Sequence, residues 1–197
     1  MNVVKCDLLR EIKELEIMVI ADSHIGDINA DLKLLKSRID YVLNNSNTYA
    51  ILNGDLANMA LKNSVSGIYE STMTPEEQVD YLVDLLTPIK DKILFINDGT
   101  HERRSQKETG LSATKQIAAE LGCKDKVSMD GTLCFLRFGE KYNSHKESNG
   151  SGNIRKLCYT IYATHGGRSG RKAGGKAQSL VDISDTINAD IIIKSHS

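Results

Sequence analysis

Short apolar runs alternate with amphipathic segments through the first two thirds of the chain. The runs Ile17–Ala21, Tyr49–Asn53 and Ile93–Ile96 are brief and almost wholly apolar, a pattern typical of buried strands. Between the first two, apolar positions recur at helical spacing over Asn29–Asn45, which predicts an amphipathic helix. Another helix is predicted to begin at Thr74–Glu77, where a threonine cap precedes a proline and, at the third helical position, a glutamate.

The alternation changes after a third predicted helix, Ser112–Leu121. Two strand-like segments, Thr132–Phe138 and Leu157–Ala163, follow each other without a helix between them. The chain then returns to a helical pattern at Gln178–Ile187 and a final strand at Asp190–Lys194. Strand–helix alternation predicts an α/β domain with a mainly parallel sheet and helices outside, and the helix-free pair predicts a second sheet packed against it.

Three connecting segments receive separate predictions. A short helix is expected over Leu56–Lys62, and Gly139–Asn153 is polar enough to form an exposed hairpin loop. The segment Thr164–Lys176 is rich in glycine and in basic residues. Two interpretations of that segment stay open: a basic flap over a polyanionic substrate, or a surface loop whose charges keep it soluble.

Size and composition exclude several classes of protein. The 197 residues suit one domain, 1–197, with 40% hydrophobic and 26% charged residues. A net charge of −1 excludes a polycation, and no apolar run approaches the roughly 20 residues needed to cross a bilayer. The four cysteines form no C-x-x-C pair, which disfavours a thiolate zinc site. We expect a cytoplasmic protein without a membrane partner.

Residues of the types that bind metals follow five of the apolar runs, and four of the five histidines occur in this context. Loops after the carboxyl ends of buried strands converge on one crevice, so we expect these side chains to meet there and hold metal. Mixed carboxylate and imidazole ligation favours Mn²⁺, Fe or Zn²⁺ over Ca²⁺ and Mg²⁺. The residues are Asp22, His24, Asp55, His101, His165 and His196.

The order of these motifs resembles a known family. D-x-H, then G-D, then a histidine in the place of G-N-H-D/E, then a lone histidine and S-H is similar to the signature of the calcineurin-like metallophosphoesterases, and especially to their phage- and prophage-encoded members. The resemblance runs from Ile17 to the last residue. It implies a four-layer α-β-β-α fold, with two mixed sheets packed face to face, helices on both outsides and the second sheet incomplete.

The resemblance also implies roles for individual residues. One divalent ion is expected at Asp22, His24 and Asp55, and a second at Asp55, His165 and His196, with His101 as the catalytic histidine. The ions are expected to be Mn²⁺, with Fe and Zn²⁺ as alternatives. The implied reaction is hydrolysis of phosphomonoesters or phosphodiesters by a metal-activated water, with nucleic acid as one substrate class.

Two basic residues are candidates for binding substrate. Arg103 directly follows the catalytic motif, and Arg168 lies shortly after the lone histidine. Arginine suits bidentate contacts to phosphate, although Arg103 could equally be a solvated surface residue. For Glu102, Asp27 and Asp31 the favoured interpretation is structural, as acidic residues at the start of a helix.

Three departures from the family pattern predict reduced activity. Thr100 replaces an asparagine that binds the second metal in the family, so it is a weak ligand at best. Asn58 replaces an aspartate that orients the catalytic histidine, and the sequence ends at Ser197 before the family's last histidine and strands, as in a truncated chain. The alternative hypotheses are an inactive relic that binds phosphate or a partner, and a one-metal hydrolase such as an amidase.

Overall fold

The structure is a computed structural model that describes residues 1–61, 70–141, 155–167 and 173–196. In this part of the chain it contains eight strands and five α-helices. The strands are β1 (Asn2–Asp7), β2 (Glu16–Ile20), β3 (Thr48–Asn53), β4 (Ile93–Asn97), β5 (Val127–Ser128), β6 (Thr132–Lys141), β7 (Arg155–Thr164) and β8 (Ile191–Lys194). The helices are α1 (Leu32–Asn44), α2 (Pro75–Leu86), α3 (Thr100–Thr109), α4 (Ala113–Glu120) and α5 (Ala173–Ser184).

The strands form two four-stranded sheets. One has the order β2-β3-β4-β5 and is parallel throughout. The other has the order β1-β6-β7-β8 and is mixed, because only the β6–β7 pair is antiparallel. The prediction of an α/β fold with two sheets is confirmed. The prediction that both sheets are mixed is wrong for the first, whose strands are joined by helical crossovers or loops that return the chain to the same end.

The parallel sheet is covered on both faces. Ala50 and Ile96 belong to an apolar cluster with residues of α1, α2 and α4, whereas Ile51 and Phe95 belong to a second cluster with residues of the mixed sheet. Strands that are buried on both faces are apolar at successive positions rather than at alternate ones. This packing explains why β3 and β4 appear in the sequence as continuous apolar runs.

Local signals in the sequence begin three of the helices as predicted. Asp31 caps α1 by accepting a hydrogen bond from the backbone N–H of Leu34. Thr74 and Glu77 form a reciprocal capping box at α2, and Ser112 caps α4. Asp27 does not begin a helix: its carboxylate accepts the backbone N–H of Asn29 in the preceding loop.

Other predictions of elements were wrong or incomplete. Residues 56–61 form no helix, because the backbone N–H groups of Leu56 and Ala57 donate to the distant Glu102 side chain instead of to a helical ladder. The last helix begins at Ala173, inside the segment predicted to be a loop. The predicted hairpin loop at 139–153 is strand up to Lys141, and its remainder lies outside the described residues. Strands β1 and β5 were not predicted, and for helix α3 only a helix start at Glu102 was predicted, not its extent.

None of the helices in the described ranges is both long enough and apolar enough to cross a bilayer.

Candidate metal centre

The loops after β2, β3 and β4 leave the same edge of the parallel sheet, and the ends of β7 and β8 adjoin it. Asp22, Asp55 and His101 therefore come from the loops after three neighbouring parallel strands. The sequence predicts that these loops converge, and the structure adds the strand order. The side chains of His165 and His196, which follow β7 and β8, lie against Asp55. The two sheets thus contribute to one site at the carboxyl ends of their strands.

Three of the predicted ligands have a left-handed backbone conformation. The φ angles of Asp22, His24 and Asp55 are +53°, +45° and +50°, and Met59 is the one other such non-glycine residue in the described ranges. Residues in this region of φ and ψ are uncommon and cluster at functional sites. Backbone hydrogen bonds from Asp22 to Gly54 (3.1 Å) and from His24 to Asp55 (3.0 Å) hold the two loops in this conformation.

Two glycines allow the loops after β3 and β4 to approach each other closely. A Cβ at Gly54, which has φ +82°, would lie 2.6 Å from the Cα of Gly99 and 2.8 Å from the His165 ring. A Cβ at Gly99 would overlap the backbone nitrogen and the carboxylate of Asp55. Neither position can accept a side chain unless the backbone of the facing loop moves away.

The predicted ligands form two groups that share Asp55. One group contains Asp22, Asp55, His165 and His196, whose ligand atoms lie within 4.8 Å of one another, and the other contains His24, Asp55 and His101 at the same spacing. Asp22 therefore groups with the late histidines and not with His24, unlike the allocation that the family resemblance implies. Which residues hold which ion stays a prediction.

His165 is oriented so that one of its ring nitrogens faces the site. The ring is fully buried, and Nδ1 lies 2.8 Å from the backbone carbonyl oxygen of Asn53, which can only accept a hydrogen bond. In the neutral ring Nδ1 thus carries the proton and Nε2 is a free base. Nε2 lies 3.0 Å from Oδ2 of Asp55, yet it is a buried polar atom without a hydrogen-bond partner. A metal ion is the partner that such a buried, unprotonated nitrogen beside a carboxylate fits.

The ionisable groups differ in how well they suit metal ligation. Burial lowers the pKa of His165, but the hydrogen bond and charge of Asp55 raise it by more, so a proton on this ring competes with a metal ion. Burial raises the pKa of Asp55, but the His165 ring and the backbone N–H of His101 together lower the pKa by more, so the carboxyl is ionised. Burial and the neighbouring His101 ring lower the pKa of His24, which favours the neutral imidazole. Metals bind the ionised carboxylate and the neutral ring.

The second histidine pair is also positioned by the backbone. The rings of His24 and His101 are 4.6 Å apart between centroids and meet edge to face. Nδ1 of His101 lies 2.7 Å from the backbone carbonyl oxygen of Asn58, to which it donates. The Asn58 side chain does not orient His101: its Oδ1 atom is buried without a hydrogen-bond partner. The main chain at Asn58 therefore orients the His101 ring.

Glu102 connects the two loops that carry Asp55 and His101. Its side chain is 2% exposed, and its carboxylate accepts backbone N–H groups from Asp55 (3.1 Å), Leu56 (2.7 Å), Ala57 (3.0 Å) and Gly99 (3.0 Å). The bond to Gly99 is the helix-start role that the sequence predicts. The other three bonds were not predicted, and they fix the conformation of the loop after β3.

Thr100 and Arg103 contact the site from the first turn of α3. The hydroxyl of Thr100 donates to the Asp55 carboxylate, at 2.9 Å from Oδ2. The guanidinium of Arg103 donates to the backbone carbonyl oxygens of Gly99 (3.0 Å) and Gly166 (3.0 Å), so it joins the loops after β4 and β7. Arg168, the other predicted substrate-binding residue, lies outside the described residues.

No family model matches this chain, and no curated protein is similar enough to it to count as a match.

Sequence reasoning missed two polar residues beneath the centre, Asn53 and Asn97. Each is the last residue of its strand and is at most 1% exposed. The available signal was an asparagine at the end of an otherwise apolar run. Asn53 lies two residues before Asp55, and Asn97 lies two residues before Gly99. Asparagine is seldom fully buried, so this pattern indicates a specific hydrogen-bonding role.

Proposed function

We propose that this protein is a metal-dependent phosphoesterase with a centre for two divalent ions. Mn²⁺ is the proposed metal, and Fe or Zn²⁺ are the alternatives. The observation that carries the proposal is the position of Asp55, whose ionised carboxylate belongs to both ligand groups. A carboxylate has two oxygens and can bridge two cations. The order of motifs, which resembles that of the calcineurin-like metallophosphoesterases, supports the same reaction class.

The proposed fold is the four-layer arrangement of that family. Its support is the packing of the parallel sheet between the mixed sheet and helices α1, α2 and α4, with α5 next to β8. Fold alone does not define function, so the reaction class depends on the site.

The residues have distinct roles in the proposed reaction. Two divalent ions, when bound, supply charge that polarises a phosphoryl group and lowers the pKa of a water that they share. Asp55, His165 and His196 hold one side of the centre. The His101 ring donates through Nδ1 to Asn58, so its Nε2 atom is left to exchange a proton with the leaving oxygen of a phosphate ester.

The first experiment is metal-dependent hydrolysis. Protein stripped with EDTA is titrated with Mn²⁺ by calorimetry, and hydrolysis of p-nitrophenyl phosphate and bis-p-nitrophenyl phosphate is followed with and without the ion. We expect two ions per chain and hydrolysis that depends on them. Failure to bind Mn²⁺ would refute the metal centre, and binding of two ions without hydrolysis of either ester would refute the reaction class.

Replacing the catalytic histidine separates proton transfer from metal binding. For His101→Asn we expect the turnover number to fall about 100-fold, since general acid catalysis contributes at least that much. Calorimetry with Mn²⁺ should still detect two ions, because the other ligands are unchanged. Loss of an ion together with activity would instead make His101 a ligand, as its grouping with His24 and Asp55 allows.

A second candidate function is a non-catalytic domain that binds one ion or none. The hydroxyl of Thr100 and the backbone N–H of His101 both donate to the Asp55 carboxylate. These two hydrogen bonds stabilise the negative charge of Asp55 in part without a metal ion. Only the first candidate function, the phosphoesterase, has a substrate, and nucleic acid is one class of substrate for it. The number of bound Mn²⁺ ions discriminates between the two functions.

Substitution of Thr100 tests whether its hydrogen bond to Asp55 limits metal binding and activity. We expect Thr100→Asn to raise hydrolysis and Mn²⁺ affinity about tenfold, because an amide oxygen reaches farther than a hydroxyl and outer groups of a metal site act on this scale. The control is Thr100→Ser, which keeps the hydroxyl and should behave like the unsubstituted chain. A lower Mn²⁺ affinity in Thr100→Asn would contradict the assignment of this position to the metal centre.

A further inference from the structure

A chain of buried hydrogen bonds joins the two sheets directly beneath the metal centre. The hydroxyl of Thr132 on β6 donates to Oδ1 of Asn97 on β4 (2.7 Å). The Nδ2 group of Asn97 donates in turn to Oδ1 of Asn53 on β3 (2.8 Å). All three side chains are at most 1% exposed. We call these three side chains the intersheet amide network.

The network continues into the segments that carry the late histidines. Asn97 also donates to the backbone carbonyl oxygen of Ala163 (2.9 Å). Asn53 donates to the carbonyl oxygen of Thr164 (3.0 Å) and to the hydroxyl oxygen of Ser195 (2.6 Å). Thr164 precedes His165, and Ser195 precedes His196, so both histidine segments are attached to the same buried amide.

Every polar atom of the two amides has a partner. Each Nδ2 group donates twice and each Oδ1 atom accepts once. Turning either amide over would bring its Oδ1 atom against a backbone carbonyl oxygen, that of Thr164 for Asn53 and that of Ala163 for Asn97, so the network fixes the orientation of both amides. A fully satisfied buried network of this kind is rigid, and loss of one member leaves the others unpaired.

The hydrogen bonds of the network lead to the histidines of one ligand group and not to those of the other. The backbone carbonyl of Asn53 accepts from Nδ1 of His165, and the N–H of His196 donates to the carbonyl of His165 (2.7 Å). Within the described residues, no hydrogen bond of the network side chains reaches His24 or His101. Removing a network member should therefore displace the first group selectively.

We infer that Asn53, Asn97 and Thr132 are positioning residues that set the metal affinity of the Asp22, Asp55, His165 and His196 group, an inference that rests on the metal centre proposed above. Groups that orient a ligating histidine typically change metal affinity by 10–100-fold when they are removed. Asn97 and Thr132 lie on β4 and β6, far in sequence from the four ligands of this group.

The test uses two variants and a matched control. Asn97→Leu removes the central amide at similar volume, and Thr132→Val removes only the hydroxyl at the far end. Thr48→Val is the control, because Thr48 is also buried and its hydroxyl bond to Glu16 (2.8 Å) lies at the opposite end of β3. Thermal unfolding in EDTA measures the stability cost, and calorimetry with Mn²⁺ measures the affinity of each ion.

We expect Asn97→Leu to lower the affinity for one of the two Mn²⁺ ions about tenfold or more and to leave the affinity for the other unchanged. Thr132→Val should lower the affinity for the same ion by a smaller factor, whereas Thr132→Ser, which keeps the hydroxyl, should bind it like the unsubstituted chain. Thr48→Val should change the affinity for neither ion. His24→Ala removes a ligand of the other group, so in this background Asn97→Leu should lower the affinity for the ion that remains.

The outcomes separate the two proposals. Unchanged affinities in Asn97→Leu and Thr132→Val, or equal losses at both ions, would overturn the positioning role while the metal centre stands. If Asn97→Leu does not fold, Thr132→Val against Thr48→Val decides the question alone. Absence of Mn²⁺ binding in the unsubstituted chain would refute the metal centre and, with it, this inference.

Discussion

Asp55→Asn is expected to lower metal-dependent ester hydrolysis by about 10³-fold, since loss of a single preorganised electrostatic group in an active site has effects on this scale. The substitution keeps the shape of the side chain but removes the charge that both ligand groups share. The amide oxygen carries no formal charge, so it is a poor bridge between two cations. Calorimetry should show that at least one Mn²⁺ ion is lost.

The control for this substitution is Asp27→Asn. Asp27 lies in the neighbouring loop, and its carboxylate accepts the backbone N–H of Asn29, a bond that an asparagine also makes. The chemical change is the same, but Asp27 belongs to neither ligand group. Equal losses of hydrolysis in the two variants would mean that general negative charge near the site, and not the shared ligand, sustains the activity.

Glu102→Gln is expected to destabilise the protein by about 3 kcal/mol, because a buried carboxylate that accepts four backbone N–H groups is replaced by an amide whose NH₂ group faces two of them. For a chain of this length the loss corresponds to a fall in Tm of about 6–12 °C. Thermal unfolding of the EDTA-treated protein measures the fall. Mn²⁺ affinity should also drop, since the loop that carries Asp55 loses its anchor.

Glu108→Gln makes the same substitution on the same helix, at an exposed position. We expect its Tm and its Mn²⁺ affinity to match those of the unsubstituted chain. If Glu102→Gln were equally harmless, the four hydrogen bonds would have no net value, and the conformation of Asp55 would have to depend on other contacts.

The sequence was sufficient for elements whose signals are local. The apolar runs of β3 and β4 predict buried strands because both faces of the parallel sheet are covered. The capping box of Thr74 and Glu77 predicts the start of α2 within one turn of chain. The same reasoning placed Asp55 and His101 after the ends of two strands, and the structure brings them into one group with His24.

Elements without such signals were missed for identifiable reasons. Helix α3 is polar throughout, with buried side chains only at Glu102 and Ser105, so it has no apolar periodicity to detect. It exists because Gly99 and Glu102 begin it and Gly110, with φ +77°, ends it. Strand β5 has two residues, Val127 and Ser128, which is too short for any alternation to be visible.

The sequence by itself determined which residues have the chemistry of a metal centre, because the ligand types and their positions after apolar runs are local properties. Only the tertiary structure decided how those residues combine. Asp22 joins the group of His165 and His196, and Glu102 is a buried anchor of the Asp55 loop. The reason is that burial of a polar group is favourable only where distant backbone and side-chain groups complete its hydrogen bonds, and those partners are brought together by the packing of the two sheets.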